Sequence, residues 1–406
     1  MSRVARPSSR WVRRLVLLLG IAAMLGVLWI RAPRLYLPTY GALGSHDFIQ
    51  YWSAGRLLLQ GGNPYDPAAL LKLEQAAGWP GVEALIMWNP PWTLALALPA
   101  ALLPFGPATL AWLALQLALL LGCGVALWRF LAPGDQRTWI GLVLAGAFVP
   151  AQSSLQLGQI SLWLLVGVAG FLVAQRSRRD WLAGVLLALL MIKPHVTYLF
   201  WLSALWWAVR YRRPGVLAGW LLALAAGSGV AVAFSPGVFG YYWAAAASPP
   251  MDWATPTLGA WLRLAVGSEH AWVQFLPALV CGIGLLVWLL RRRAPWKWEE
   301  LAAPLLLVSV ATAAYGWTFD QVVLLPAVVD LVSRLRLAPR ARKVAVLGAL
   351  GFFELALMLQ HRMQPNMFFD VWHPVALAGL YWWTVGFERR QGKEAIQSGA
   401  AAPVAR

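Results

Sequence analysis

The sequence predicts an all-α, polytopic membrane protein, and three observations carry that expectation. Of its 406 residues, 60% are hydrophobic and 12% charged, too little polar surface to coat a soluble globule of this size. The apolar residues come in runs of roughly 15–25, which at 1.5 Å per helical residue approach a hydrocarbon core of about 30 Å, and a backbone in lipid must bond to itself. The Lys and Arg residues fall between those runs and alternate in density along the chain.

About twelve spans follow from the run lengths. They lie near residues 12–30, 107–131, 137–151, 159–175, 180–193, 196–210, 215–234, 271–290, 300–315, 319–333, 343–360 and 371–387. Those at 137–151 and 180–193 fall short of the roughly 20 residues a straight crossing needs and read as broken or half-buried helices lining a cavity. The first span follows five arginines; its length and the lack of a small-residue cleavage site read as a retained anchor. With the N-terminus cytoplasmic and the spans alternating, the inner segments collect all 33 basic residues except Arg31, Arg34, Arg56, Lys72, Lys193, Arg263 and Arg362. That positive-inside bias places both termini in the cytoplasm and explains the net charge of +17 without nucleic acid.

The whole chain, 1–406, reads as one integral membrane domain. Its long extracytoplasmic connections are 31–106 and 235–270, and 388–406 is a cytoplasmic tail. A functional site is therefore expected outside, where most of the isolated polar residues fall: Asp47, Asp66, Gln152, Gln156, Gln159, Lys193, Asp252, Asp320, His361, Arg362 and Asp370. Cys123 and Cys281 lie within apolar spans and suggest neither a disulfide framework nor a metal set. Asp47 and Asp66 are weak support for a metal, no Gly-rich phosphate loop is present, and no cofactor is expected.

In the first outer loop, Ser45 is placed to cap a helix whose first turn holds His46, Asp47 and Phe48, with Asp47, Gln50, Tyr51 and Ala54 on one face. The helix is expected to lie on the membrane surface and to end at Gly61-Gly62-Asn63-Pro64. Asn89-Pro90-Pro91 opens a second apolar stretch through Leu103, read as interfacial or re-entrant. Asp47 has two readings. One is a carboxylate complementing the helix dipole, worth at most about 1 kcal/mol. The other is a general base for a sugar hydroxyl, worth on the order of 10²–10⁴ in rate. Arg56 is expected to help keep it ionised, and His46 is set aside because neighbours on a helix do not face each other.

Lys193 is either a snorkelling lysine or the partner of a substrate phosphate; Pro194 interrupts the helix there, turning Lys193 and His195 toward a cavity. His361 and Arg362 read as a solvated loop or as a further phosphate clamp. Asp320 either caps its helix or belongs to a site. Gln152, Gln156 and Gln159 recur at helical spacing, where their amides suit sugar hydroxyls or buried backbone equally. Most of the 26 tryptophans read as interfacial belts, with Tyr51, Trp52 and Trp88 as candidates for stacking on a sugar or lipid. Glu354, an acid inside an apolar run, supports the alternative of a transporter or flippase for a lipid-linked sugar. Against it, the polar residues gather on one side and no inverted repeat is visible. A scaffold for envelope assembly would leave Asp47 dispensable.

Asp47-Phe48 followed by Tyr51-Trp52, Ala54-Gly55-Arg56, Gly61 and Asn63-Pro64-Tyr65-Asp66 resembles the first-loop signature of glycosyltransferase family 87, polyprenyl-phosphate-sugar-dependent membrane enzymes of the GT-C fold. The resemblance continues in order through Asn89-Pro90-Pro91, Leu103-Pro104-Phe105, Gly158-Gln159-Ile160 with Leu162, Ala183-Gly184, Lys193-Pro194, Phe319-Asp320 and Leu324-Leu325-Pro326. It implies a hexosyltransferase, a mannosyltransferase among the options, of the bacterial inner membrane. Such an enzyme moves a sugar with inversion from a polyprenyl phosphate to a glycan or lipid acceptor on the extracytoplasmic side. Carried onto this chain, Asp47 is the base, Lys193 and Arg362 hold the donor phosphate and Asp320 belongs to the site; the residues themselves add Arg56 as a candidate for the phosphate and Tyr51, Trp52, Gln159, His195 and His361, with Asp320, as candidates for binding substrate. Related sequences often carry a histidine just ahead of the aspartate at position 320; this chain has Phe319 there.

Overall fold

The computed structural model describes residues 40–248, 253–364 and 366–397. The expected first span, the N-terminal arginines, Asp252 and the end of the tail lie outside the described residues. Among the described residues every regular element is helical.

The first long connection folds inward. α1 (Phe48–Leu59) starts two residues later than expected, with Asp47 at its N-cap, because Ser45 is spent on its own turn: its hydroxyl donates to Ala42 O and accepts from Gly41 N–H. Nor does α1 lie on a surface. Phe48, Ile49, Tyr51, Trp52 and Leu58 are buried, and a Cβ on Gly55 would come within 2.7 Å of the Ala101 Cβ. Gly61, at φ +71, and Asn63, whose Oδ1 accepts the Tyr65 N–H, end the helix as expected. Asp66 then caps α2 (Pro67–Ala76) by accepting from the N–H groups of Ala68 and Ala69. A 3-10 turn at Pro91–Thr93 leads into the short α3 (Leu94–Ala101).

α4 (Phe105–Leu131) is the longest described helix of the first half. It packs on α5 (Trp139–Ala147) with backbone against backbone, since a Cβ at Gly124 would lie 2.4 Å from Gly141 O. α6 (Val149–Leu157) continues α5 after a 66° bend at the extended residue Phe148. Pro150 fits its first turn, where a missing N–H costs no helical bond. α7 (Leu162–Arg176) is followed by α8 (Asp180–Ala188), which tightens into a 3-10 turn at Leu189–Ile192 and stops at Lys193. Then come α9 (Tyr198–Arg210), α10 (Pro214–Phe234), α11 (Val238–Ala246), α12 (Leu258–Val266), α13 (Leu276–Arg291) and α14 (Trp298–Thr312). A 3-10 turn at Thr318–Leu324 precedes α15 (Leu325–Arg334), α16 (Arg340–Met363) and α17 (Trp372–Gln397).

The expected twelve crossings are not found as twelve long helices. Four segments are long and apolar enough to cross a bilayer, Phe105–Leu131, Pro214–Phe234, Ala271–Arg291 and Arg340–Met363, and the bent pair of α5 and α6 makes a fifth. The physical reason is interruption: the apolar runs at 180–193 and 319–333 break into 3-10 turns, and others yield helices too short to span alone. Large apolar side chains still face outward on the long helices, including Leu221, Leu222, Val280, Ile283, Leu290 and Phe352, as a lipid-facing surface requires.

The helices have two chemically distinct ends. At one, Arg176 donates to Phe130 O near the end of α4 at 2.7 Å, and Arg213 pairs with Asp180 at 3.3 Å. Asp135 there meets Arg137 at 2.6 Å and Arg336 at 3.4 Å, and the hydrogen bond from Arg137 holds its carboxyl at about 2. The other ends of α7 and α8 converge on the centre described next.

Candidate active site

The centre is built around the end of α6. Gly158 adopts the left-handed conformation, φ +74, because contact demands it: a Cβ there would lie 2.0 Å from Gly44 O and 2.9 Å from the Phe48 Cβ. The close approach lets Asp47 N–H donate to Leu157 O at 2.7 Å and Gly44 N–H to Gln156 O at 2.9 Å, tying the start of α1 to the end of α6. Trp112 and Gln116 of α4 complete the mount by donating to the carbonyls of Gly158 and Gln159 at 2.9 and 2.7 Å.

Gln159 then joins the acid to the cation. Its Nε2 donates to Asp47 Oδ2 at 2.7 Å, and its Oε1 accepts from the Tyr51 hydroxyl at 2.7 Å and from Lys193 Nζ at 3.3 Å. Lys193 arrives there because the turn before it is pinned: Asn89 donates to Ile192 O at 3.0 Å and the Trp92 indole to Met191 O at 3.1 Å. The Asn89-Pro90-Pro91 motif thus fixes a side chain a hundred residues later. The ammonium also donates to Asp320 Oδ1 at 2.7 Å and to Ser161 Oγ at 3.2 Å, and lies 4.7 Å from the centre of the Phe319 ring. Ser161 in turn donates to Asp320, whose other oxygen accepts the Trp317 N–H at 3.0 Å. Asp320 is therefore both a cap and the counterion of Lys193. A pair this buried, 12% and 2% exposed, spends most of its attraction on desolvation, so what it fixes is position.

His46 belongs to this centre after all. Because Asp47 is an N-cap residue, the two do not sit on successive positions of a helix, and His46 Nδ1 meets Asp47 Oδ1 at 2.7 Å. That hydrogen bond raises the imidazole above its usual range. Burial, and the Asp47 charge after it, push the Tyr51 phenol well above its ordinary value, keeping it a donor. His195 is exposed on the turn after Lys193.

Other expected members stand apart. Arg56 does not approach Asp47: at the far end of α1 it donates to Leu103 O at 3.0 Å and packs over the Trp52 ring. Trp52 spends its indole N–H on the same carbonyl. His361 pairs with the buried Asp370 at 2.5 Å, alongside Gln360 and Thr318, while Arg362 is exposed and bonds no described residue. Gln152 donates to Gly146 O across the bend, and Gln156 is exposed. Glu354 also serves the bend: it accepts the Val149 N–H at 2.7 Å and meets His373 at 3.3 Å, and His373 meets Gln321 at 2.8 Å. Ser161 and Gln116 are members the sequence reading did not single out; only the placement of Ser161 two residues after Gln159 in an apolar run hinted at one of them. Among the described residues no group of three or more His, Cys, Asp or Glu is arranged to hold a metal.

A model of glycosyltransferase family 87 matches residues 88–299. The chain belongs to that family. It is a glycosyltransferase, with a sugar donor and an acceptor, and placement in the GT-C superfamily is consistent with the match. No curated protein and no solved structure matches the chain significantly. The family 87 stretch contains Asn89, Gln159, Lys193 and His195; Asp47 and Tyr51 precede it and Asp320 follows it, and only the folded geometry joins the three parts.

Proposed function

We propose that this family 87 glycosyltransferase moves a hexose, mannose being one candidate, from a polyprenyl phosphate to an acceptor hydroxyl on the extracytoplasmic side, with inversion and with Asp47 as general base. The observation that carries the proposal is the Gln159 amide, which places a carboxylate and an ammonium on its two sides. A sugar hydroxyl is a poor nucleophile at neutral pH. Its oxygen attacks the anomeric carbon as the bond from that carbon to the phosphate oxygen breaks; the hydroxyl proton passes to Asp47 and the leaving phosphate keeps the bonding pair. Attack from the face opposite the leaving group inverts the centre. Negative charge grows on the phosphate, where Lys193, held in place by Asp320 and Ser161, stabilises it by exchanging the Asp320 carboxylate for phosphate oxygen. The placement of the centre at the helix ends away from Arg176, Arg213 and the Asp135 cluster supports an extracytoplasmic site by the positive-inside bias.

The test is transfer by the purified protein from defined polyprenyl-phosphate hexoses. Asp47→Asn is expected to lower turnover by about 10²–10⁴ in a protein that still folds and unfolds cooperatively; turnover equal to wild type would remove Asp47 from the role. Translocation of labelled lipid with no glycoside formed would favour the carrier reading.

A further inference from the structure

A row of aromatic rings leads away from Lys193. Phe319, under the ammonium, stacks near Trp317 at 6.3 Å between ring centres; Trp317 meets Trp253 edge-on at 5.8 Å, and Trp253 meets Trp88 edge-on at 6.2 Å. The row crosses three parts of the chain. Trp88 belongs to the first long connection, Trp253 to the second, and Trp317 to the turn before Asp320. None of the three tryptophans lies in a segment long and apolar enough to span.

Other tryptophans nearby are fastened by their indole N–H groups: Trp52, Trp92 and Trp112 each donate to a backbone carbonyl. Trp88, Trp253 and Trp317 are half-buried, and no described residue accepts from their indole N–H groups. Each therefore offers part of an apolar face together with an unspent donor. That combination matches a neutral sugar ring, which has C–H faces and a rim of hydroxyls, better than a prenyl chain, which has no acceptor. The three rings carry no charge, so they bring no counter-charge to an acidic sugar.

We propose that Trp88, Trp253 and Trp317 form a subsite for the sugar rings of a neutral glycan acceptor, aligning its terminal hydroxyl toward Asp47. The inference rests on the glycosyltransferase reading and adds the acceptor class to it. The row starts at the ring beneath Lys193, where the donor phosphate is expected, and runs out through the hydrophilic connections, so it serves the water-borne substrate.

The test is equilibrium binding of two tritiated neutral trisaccharides, a mannotriose and a glucotriose, to the full-length protein in nanodiscs. Trp253→Ala removes the middle ring and is expected to weaken binding about tenfold. Trp253→Phe, which keeps an aromatic face, should stay within about threefold of wild type. Failure of the wild type to bind either trisaccharide, or equal binding by Trp253→Ala, overturns the subsite. Binding with the expected variant pattern, but no transfer from any polyprenyl-phosphate hexose, would instead overturn the enzymatic reading and leave the subsite standing.

Discussion

At position 158 even a methyl group meets two obstacles. A left-handed conformation costs a non-glycine residue about 1–2 kcal/mol, and the added carbon would sit 2.0 Å from a backbone oxygen that cannot rotate away. Gly158→Ala is therefore expected to part α1 from α6, lowering the unfolding temperature and leaving less than about a tenth of transfer activity, measured on the same preparation. His46 supports a second test. Asp47 raises its imidazole, so the pair favours the protonated ring in the fold; that stabilisation is complete below about pH 6.5 and fades as pH climbs through the raised value. The wild-type unfolding temperature should accordingly drop, relative to His46→Gln, as pH increases above about 6.5; parallel curves would show the pair to be inert. Asp47, Gln159, Lys193 and Asp320 stood out in the sequence because hydropathy alone does not require them. His46 was discounted on a helix rule that fails at an N-cap, and Arg56 was credited with a proximity that the intervening helical residues 48–55 prevent.

The half-helix α6 is the element on which the centre depends. One end presents Gln159; the other gives its Val149 N–H to Glu354 on α16, 205 residues away in sequence. Glu354→Leu leaves that N–H buried without an acceptor and His373 with Gln321 alone, a loss of about 1–3 kcal/mol. Turnover is expected to fall with stability, whereas Glu354→Gln keeps an acceptor for Val149 and should retain activity within about threefold. Equal activity of the Leu variant would detach the bend from the chemistry. The break itself was legible, because the run at 137–151 is too short for a straight crossing. What holds it was not, since a carboxylate in an apolar run looks the same whether it conducts protons or caps a helix. The surface placement expected for α1 also failed: its polar residues face other polar residues inside the protein, an arrangement that periodicity cannot tell from exposure.

Over the whole molecule, the helical class and the membrane setting followed from composition, while the number of crossings did not, because 3-10 turns and bends divide apolar runs without changing their hydropathy. The proposed orientation is checked by maleimide labelling of intact cells in a Cys281→Ser background. Glu83→Cys, exposed in the first connection, should label from outside and Gln136→Cys should not; the reverse would turn the molecule over. On that orientation the length of α7 acquires a meaning. Its 15 residues, with Ser161 at one end and Arg176 at the other, reach only about 22 Å, against a hydrocarbon layer of about 30 Å. With the arginine at the inner interface, the proposed centre would lie sunk beneath the outer leaflet's headgroups. A lipid-borne donor, as proposed, would then not need to be lifted out of the bilayer; a water-soluble acceptor would have to descend to it.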